Sequence, residues 1–543
     1  MFKGYTKREN LIVLVIIGTA LLLSSLPYAV GFFWGGQNHF LGGSHMNLGD
    51  VSVYRSYIEQ AKEGKILVLN LFTSETQTAM YFTPLWLVLG LLARLFSLNS
   101  LLIFHLARFL AGFLFLYFIF YYFLDLFFKK YWDKIIALLL ICFSSGLGLF
   151  FKPQTKSIIF DAKYIWQNFS VDLIMPESNT FLTLAHSALF VISQLLILLT
   201  FYWLIKANTQ KKTLFFLFGV SFILGLIHTY DILIVLGVSL AYLITGFIFR
   251  KQSLIFNFKN YILKIFIIGL GYAPAFYYFY FIVRREPALW GWISQNITDS
   301  PSFKMYLIAY GFLIFFSIFS LRLLKKQNNK NVYFLIVWVL TLFVLAYLPL
   351  SFQRRLISTE HIALAILATY SLSWLVAEIL KIYKKRWQNI LTVILLFVFM
   401  SLANLSFVVT VIYDYIKLPQ IFYLPDSFYQ AAVWLKTKSL SNEAVLASAQ
   451  NGMILPPFIN RPVFLGSGHQ TLDFQHKREL LDKWFFQDNN QADAKKQFLQ
   501  NYNIKYIFYT AREKLLGNYD LDKADYLQQV YANKEVKIYK LID

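Results

Sequence analysis

Cysteine occurs once in 543 residues, Asp and Glu together number 29, and charged residues of both signs make up only 15% of the chain. The lone Cys142 lies inside an apolar run, which excludes an intrachain disulfide and a cysteine-based metal site. The low charge content excludes a disordered tail protein and a conventional soluble enzyme. Also missing are a Walker phosphate loop, a dinucleotide-type glycine-rich turn after a strand, His-Glu-x-x-His and Gly-x-Ser-x-Gly. ATP hydrolysis, nicotinamide chemistry, zinc proteolysis and serine esterase chemistry therefore have no support.

What the chain has in excess is apolar surface: 58% hydrophobic residues, 19% aromatic. These fall in runs of about 17 to 29 residues, long enough as helices to cross a hydrocarbon core of roughly 30 Å. Candidates lie near 11–33, 81–97, 100–128, 135–151, 181–205, 213–228, 231–249, 261–283, 304–321, 332–350, 362–380 and 389–413. The expectation is an all-α polytopic membrane protein with about 12 transmembrane segments. The first run follows Lys3, Lys7 and Arg8 and is too long for a signal-peptide core, so it is expected to remain as a helix with a cytoplasmic N-terminus.

A net charge of +21 would suggest a nucleic-acid partner in a soluble chain. Residues 414–543, however, carry 16 basic against 14 acidic side chains, so 19 of the excess charges belong to residues 1–413. There they cluster between every second pair of apolar runs, as at Lys129/Lys130/Lys134, Lys206/Lys211/Lys212 and Lys381/Lys384/Lys385/Arg386. That is the pattern of cytoplasmic loops, and no nucleic-acid partner is expected. Alternation places residues 34–80, 152–180, His228–Asp231, 284–303, 351–361 and everything after about 413 outside. The short 81–97 run, with Pro84 near its start, is expected to be re-entrant or half-crossing.

In the outside loop 34–80, Val51, Tyr54, Ile58 and Ala61 form a helical stripe that Gly64 ends, with Arg55, Glu59, Lys62 and Glu63 around it. A short helix lying on the outer membrane surface is expected. Loop 152–180 mixes Phe160, Tyr164, Trp166 and Phe169 with charges and is expected at the interface. After Asp414 the composition becomes that of a soluble domain. Strand-like pieces (444–447, 463–465, 506–509, 536–539) alternate with amphipathic stretches (427–436, 477–486, 492–502), predicting a small C-terminal α/β domain over 414–543 behind a membrane domain over 1–413.

The chemistry-bearing candidates gather at predicted outer helix ends. Asp50 could take a proton from an acceptor hydroxyl or hold a divalent cation (Mg or Mn) against a phosphate; capping its helix is the alternative. Glu75 could supply a second carboxylate or simply be a solvated loop residue. Glu177 could orient a sugar hydroxyl or complement a helix dipole. His228, Tyr230 and Asp231 join two apolar runs almost without spacer, where ionisable groups are costly and functional by default, unless a His–Asp contact satisfies a tight hairpin. Gln353, Arg354 and Arg355 place two guanidinium groups in a short outside loop, suited to a lipid phosphate or pyrophosphate; a salt bridge to Glu360 or docking of the C-terminal domain competes. Arg284 and Arg285 are a second pair, with Glu286 beside them. Trp290, Trp292 and Tyr81 could stack on a sugar or form an interfacial belt.

Taken together, Gly49-Asp50, Tyr54, Ala61 and Gly64, then Tyr81-Phe82-Thr83-Pro84 with Leu89-Gly90, and further on Pro176-Glu177, His228-Thr229-Tyr230-Asp231 and Gln353-Arg354-Arg355 resemble the GT-C superfamily of membrane glycosyltransferases. That superfamily includes protein O-mannosyltransferases, aminoarabinose transferases and oligosaccharyltransferases. The resemblance implies transfer of a sugar from a polyprenyl-phosphate donor to a lipid, glycan or protein acceptor on the outer face of a bacterial or archaeal plasma membrane. Asp50 matches the acidic position of the first loop that such proteins use as base or metal-associated carboxylate, and Arg354 or Arg355 would hold the lipid phosphate. Adjacent Asp-Glu or Asp-x-Asp in the first loop and the Trp-Trp-Asp-x-Gly signature are absent, which disfavours protein N-glycosylation. A lipid-linked saccharide flippase or a non-catalytic scaffold of the same fold is the alternative. A transporter predicts polar residues through the membrane on both sides, and the absence of paired interrupted helices counts against one.

Overall fold

The computed structural model describes residues 4–151, 169–206, 210–248, 258–324, 330–382 and 384–542. The aromatic candidates Phe160, Tyr164 and Trp166 lie outside the described residues. Contacts divide the chain into two compact units, one of residues 1–27, 105–277 and 298–412, the other of residues 28–104, 278–297 and 413–543. The second unit thus begins its last segment at Tyr413, near the predicted change of composition, but also takes in the outside loop 34–80.

Among the described residues seven helices are long and apolar enough to cross a membrane: Lys7–Trp34, Ser100–Leu126, Tyr131–Phe151, Ala188–Ile205, Asp231–Ile248, Phe258–Arg285 and Gln353–Ile382. The chain is in this sense an integral membrane protein. Two bent pairs raise the number to at most nine, Phe303–Ala309 with Gly311–Leu324 at 79° and Arg386–Met400 with Leu402–Lys417 at 60°. The predicted apolar runs fall on helices, but among the described residues fewer than the expected twelve are long and apolar enough by themselves, because several runs are short or broken. The run at 181–205 breaks at the extended Ser187, and the run at 81–97 forms only the 12-residue Pro84–Leu95 helix. At 1.5 Å per residue that helix is about 18 Å long, short of the bilayer core.

The two bends have a common cause within the first unit. The segment after the Tyr131–Phe143 helix satisfies backbone groups that the breaks release. Ser145 donates through its N–H (2.6 Å) and Oγ (3.0 Å) to Met400 O, and its Oγ accepts from Ala403 N–H (3.2 Å). Leu147 N–H donates to Ile308 O (2.9 Å), and a Cβ on Gly146 would stand 2.0 Å from Ala309 O. Only glycine allows that approach. The remainder of this unit's core is apolar and aromatic, with Trp338 fully buried against Phe201 and Phe334.

In the second unit, β1 (His39–Phe40) pairs antiparallel with β2 (Tyr423–Leu424), tying the first loop to the C-terminal segment. β3 (Ala444–Leu446), β4 (Ile504–Tyr509), β5 (Leu527–Ala532) and β6 (Lys537–Leu541) form one sheet in the order β3-β4-β6-β5, with β3 and β4 parallel and the others antiparallel. Strand alternation divides the core: Leu446 and Ile507 face a cluster with Phe464, Phe485 and Phe498, while Val445, Tyr506 and Phe508 face Phe428 and Leu435. The predicted strand at 463–465 makes only a single bridge, Val445 with Val463, and β5 had no prediction.

Candidate functional site

In the second unit, Asp50 stands in the first turn of the Leu48–Lys62 helix and is exposed. The cap position belongs to Asn47, whose Oδ1 accepts from the N–H (2.7 Å) and Oγ (3.0 Å) of Ser44 and makes no capping bond. Asp50 is therefore not the helix cap. The predicted stripe Val51, Ile58 and Ala61 is buried, and Gly64 ends the helix with φ +96°. A Cβ on Gly90 would lie 2.4 Å from Ala61 Cβ and 2.7 Å from Ile58 O, so the Pro84–Leu95 helix packs directly on this stripe. The helix is also covered on the side expected to be open. Arg55 is buried, its guanidinium 4.8 Å from the Phe458 ring, and Ser52 Oγ donates to Met453 O at 2.5 Å. Covering by the C-terminal segment holds the helix that carries Asp50.

Tyr54 stacks on Trp86, ring centroids 4.4 Å apart, and Trp86 stacks on Phe104. Glu75 is neither free nor simply solvated: it accepts from Thr73 Oγ1 and pairs with Lys477, whose Nζ also reaches Thr73 Oγ1 at 3.2 Å. Lys477 is buried over the Phe464 ring; burial pushes its pKa down while the Glu75 carboxylate pulls it up. Glu286 accepts from Thr78 N–H (2.9 Å), while Arg284 lies 4.6 Å from the Trp290 ring. Tyr81 meets Trp292 edge-on at 5.3 Å.

In the first unit the structure brings most of the predicted binding residues together. Glu177 sits in the 3₁₀ turn Pro176–Ser178, which Asn179 leads into the Thr180–His186 helix by accepting from Phe181 and Leu182 N–H. It is buried, and its Oε2 has no hydrogen-bond partner. His228 Nδ1 lies 2.9 Å from Asp231 Oδ2, which also accepts from Ser193 Oγ. The expected His–Asp contact is thus present, yet His228 Nε2 and Asp231 Oδ1 remain unpartnered although both residues are buried. Phe190 presents its ring to both His186 (4.7 Å) and His228 (5.6 Å).

The Gln353–Ile357 turn is zipped to residues 298–300. Thr298 N–H donates to Ser351 O (2.6 Å), Arg354 N–H to Thr298 O (3.2 Å) and Ser300 N–H to Gln353 Oε1 (3.2 Å). Arg355 lies over the Tyr230 ring at 4.9 Å, and Tyr230 packs against Phe352. Tyr306 lies within electrostatic reach of both Glu177 and Arg354.

Glu360, weighed above only as a partner of the arginine pair, joins this cluster, as do Thr359, His361 and Asp172, which sequence reasoning did not assign. Glu360 opens the Glu360–Ile382 helix fully buried, and neither carboxylate oxygen has a partner, so the salt bridge considered for the arginine pair is not formed. Thr359 before it adopts φ +77°, a strained setting for a β-branched residue. His361 after it is satisfied, by Thr180 Oγ1 (2.9 Å) and Ser144 O (3.0 Å). Asp172 accepts from Gly146 N–H (2.9 Å), Gly148 N–H (3.3 Å) and Ser170 Oγ (2.5 Å), and burial outweighs these bonds to push its pKa up to about 6. Two adjacent ionisable residues at the mouth of the 362–380 apolar run, Glu360-His361, were the available signal.

Among the described residues no three His, Cys, Asp or Glu side chains come together to hold a metal ion. The cluster in the first unit offers instead guanidinium groups beside buried carboxylates and an imidazole that lack full hydrogen-bond complements. Such a set recognises a ligand with both anionic oxygens and hydroxyl donors.

No family model matches the chain, and no curated protein does. Solved structures do match. The Archaeoglobus fulgidus oligosaccharyltransferase tethered with an acceptor peptide superposes with a TM-score of 0.54 at 12% identity, over 94% of this chain and 69% of that one. ArnT from Cupriavidus metallidurans bound to undecaprenyl phosphate gives 0.52 at 11%, over 96% and 98%. The arabinofuranosyltransferase AftD from Mycobacteria gives 0.52 at 11%, over 100% and 42%. All three are GT-C glycosyltransferases, and this chain has the GT-C fold.

Proposed function

We propose that this chain is a membrane glycosyltransferase that moves a sugar from a polyprenyl-phosphate donor to a lipid, glycan or protein acceptor at the outer membrane face. The observation that carries the reading is the helix-end cluster of the first unit, where Arg354 and Arg355 share a neighbourhood with Glu177, His228, Asp231 and Glu360 in a chain of GT-C fold. ArnT, bound to undecaprenyl phosphate, matches nearly end to end and supports a lipid-phosphate donor.

In this reading Arg354 and Arg355 hold the lipid phosphate, and their positive charge stabilises the leaving group as the glycosidic bond to phosphate breaks. Glu177, His228, Tyr230, Asp231 and Gln353 orient sugar hydroxyls. Asp50, exposed and not used as a cap, accepts the proton of the acceptor hydroxyl. Tyr54 and Glu75 belong to the frame that holds the Asp50 helix and the loop after it. No step is routed through a metal. The N-terminus is assigned to the cytoplasm and residues 414–543 to the outside.

Binding separates the roles. Replacing both Arg354 and Arg355 by Gln is expected to weaken binding of undecaprenyl phosphate at least tenfold in purified protein and to leave binding of an acceptor unchanged. Equal losses for donor and acceptor would overturn the assignment.

A further inference from the structure

Two adjacent polar residues inside an apolar run have no role in the reading above. In the Ala188–Ile205 helix, one of those long and apolar enough to cross a membrane, Ser193 and Gln194 interrupt the otherwise apolar stretch 188–199. They lie about 8 to 9 Å along the axis from the Ala188 end. Both are buried in protein rather than turned to lipid. Polar side chains at such a place are retained for the partners they make.

Those partners are the turns that carry the unmatched carboxylates. Ser193 Oγ donates to Asp231 Oδ2, the oxygen that His228 Nδ1 meets at 2.9 Å. Gln194 Nε2 donates to Thr183 Oγ1 (3.1 Å) and to Ser358 Oγ (3.3 Å). Thr183 Oγ1 in turn donates to Pro176 O at 2.6 Å, in the turn of Glu177, and Ser358 stands two residues before Glu360. One amide therefore links the Glu177 turn to the Glu360 turn. The two turns also share Tyr310, which donates to Ser178 O (3.0 Å) and lies within electrostatic reach of Glu360.

The orientation of the amide follows from counting protons. Thr183 has one hydroxyl proton and spends it on Pro176 O, so toward Gln194 it can only accept. Gln194 must then present Nε2, which leaves Oε1 as the oxygen without a partner in a fully buried side chain. A buried amide satisfied at one end only stabilises a helix contact poorly, where a leucine would fill the same volume. What the amide holds, rather than what it stabilises, accounts for its presence.

We propose that Gln194 is a positioning residue that holds the Glu177 and Glu360 turns in one arrangement, so that both carboxylates meet the same ligand headgroup. The identity of that headgroup as a donor sugar rests on the reading above; the tie itself rests on Thr183 and Ser358. Two measurements on purified full-length protein in detergent separate these parts.

The first is amide hydrogen exchange without ligand. Ser178, Asn179 and Ser358 donate their N–H groups within the two turns, and Asp231 donates to His228 O. Gln194→Leu should speed exchange at least threefold at the first three and leave Asp231 unchanged, and Ser193→Ala should do the reverse.

The second is binding of undecaprenyl phosphate, bare or carrying glucose, mannose or N-acetylglucosamine. The wild-type protein should bind at least one sugar-bearing lipid ten times more tightly than the bare lipid. Gln194→Leu should erase that preference with bare-lipid binding within twofold and no fall in unfolding temperature. Thr183→Val, which breaks the same link one bond further on, should erase it too. Unchanged exchange in either turn, a wild-type protein without sugar preference, a preference that survives Gln194→Leu, or equal losses for bare and sugar-bearing lipid would each overturn the proposal. Faster exchange in both turns of a protein whose wild type binds none of these lipids would sink the donor reading and leave the tie standing.

Discussion

The second unit saturates its buried carboxylate, whereas the first leaves several buried ionisable groups unmatched beside the saturated Asp172. In the second, Glu513 is fully buried and saturated: it accepts from Ser448 N–H (2.7 Å), Asn451 Nδ2 (2.8 and 2.9 Å), Thr510 N–H (2.8 Å) and Thr510 Oγ1 (2.6 Å). Lys477 has Glu75 and Thr73. In the first unit, Glu360 has no partner for either oxygen, and Glu177, Asp231 and His228 each leave a polar atom unmatched. A buried polar group without a partner costs about 1–3 kcal/mol, so a fold keeps several together only where something other than stability selects them. Saturated charges build the frame; unsaturated ones wait for a ligand.

The contrast can be broken by substitution. Glu513→Ala strands several donors at once and is expected to cost more than about 3 kcal/mol, seen as a large fall in unfolding temperature. A small fall would remove the distinction between the units. Next comes Asp172, whose pKa is raised from 3.8 to about 6 by burial. The folded state therefore binds this proton more tightly than the unfolded chain. Its stabilisation is complete below about pH 4 and disappears as pH rises through about 6, a change of order 2–3 kcal/mol. Asp172→Asn should flatten stability between pH 4 and 6, and an unchanged slope would contradict the cause given.

Smaller effects sharpen the same contrast. Lys477→Met removes the partner of Glu75, whose side chain is 32% exposed, so the loss should be only about 1–2 kcal/mol. Glu360→Gln keeps the shape and removes a carboxylate that has no partner to lose. Stability should stay within about 0.5 kcal/mol or rise, while donor binding falls; a strong loss of stability would show that Glu360 belongs to the frame.

Much of the fold was legible because its signals are local. Apolar runs located helices from Leu11 onward, and alternating strand pieces located three of the four strands of the C-terminal sheet. The breaks after Ala309 and Met400 were not legible, because Ser145 and Leu147 supply the hydrogen bonds that stabilise them from a segment distant in sequence. The cover over the polar side of the Asp50 helix was not legible for a similar reason: Phe458 and Met453, some four hundred residues away in sequence, cover Arg55 and Ser52. At the site, Glu177, His228 and Arg354 stood out as ionisable groups at helix ends, and they do gather. Glu75 looked much the same in sequence, and only its distant partner Lys477 separates it from them. Glu360 entered the sequence reading only as one competing partner for the two arginines; packing leaves it unmatched.

The most direct test offers purified full-length protein a panel of polyprenyl-phosphate sugars, with and without added Mg or Mn, beside the Asp50→Asn variant. Sugar release or transfer by the wild-type protein, reduced at least 100-fold in Asp50→Asn with donor binding retained, is the predicted result. Donor binding without turnover would contradict it and leave a lipid-saccharide carrier or scaffold of the same fold, and turnover indifferent to Asp50 would contradict the assignment of Asp50 as the base.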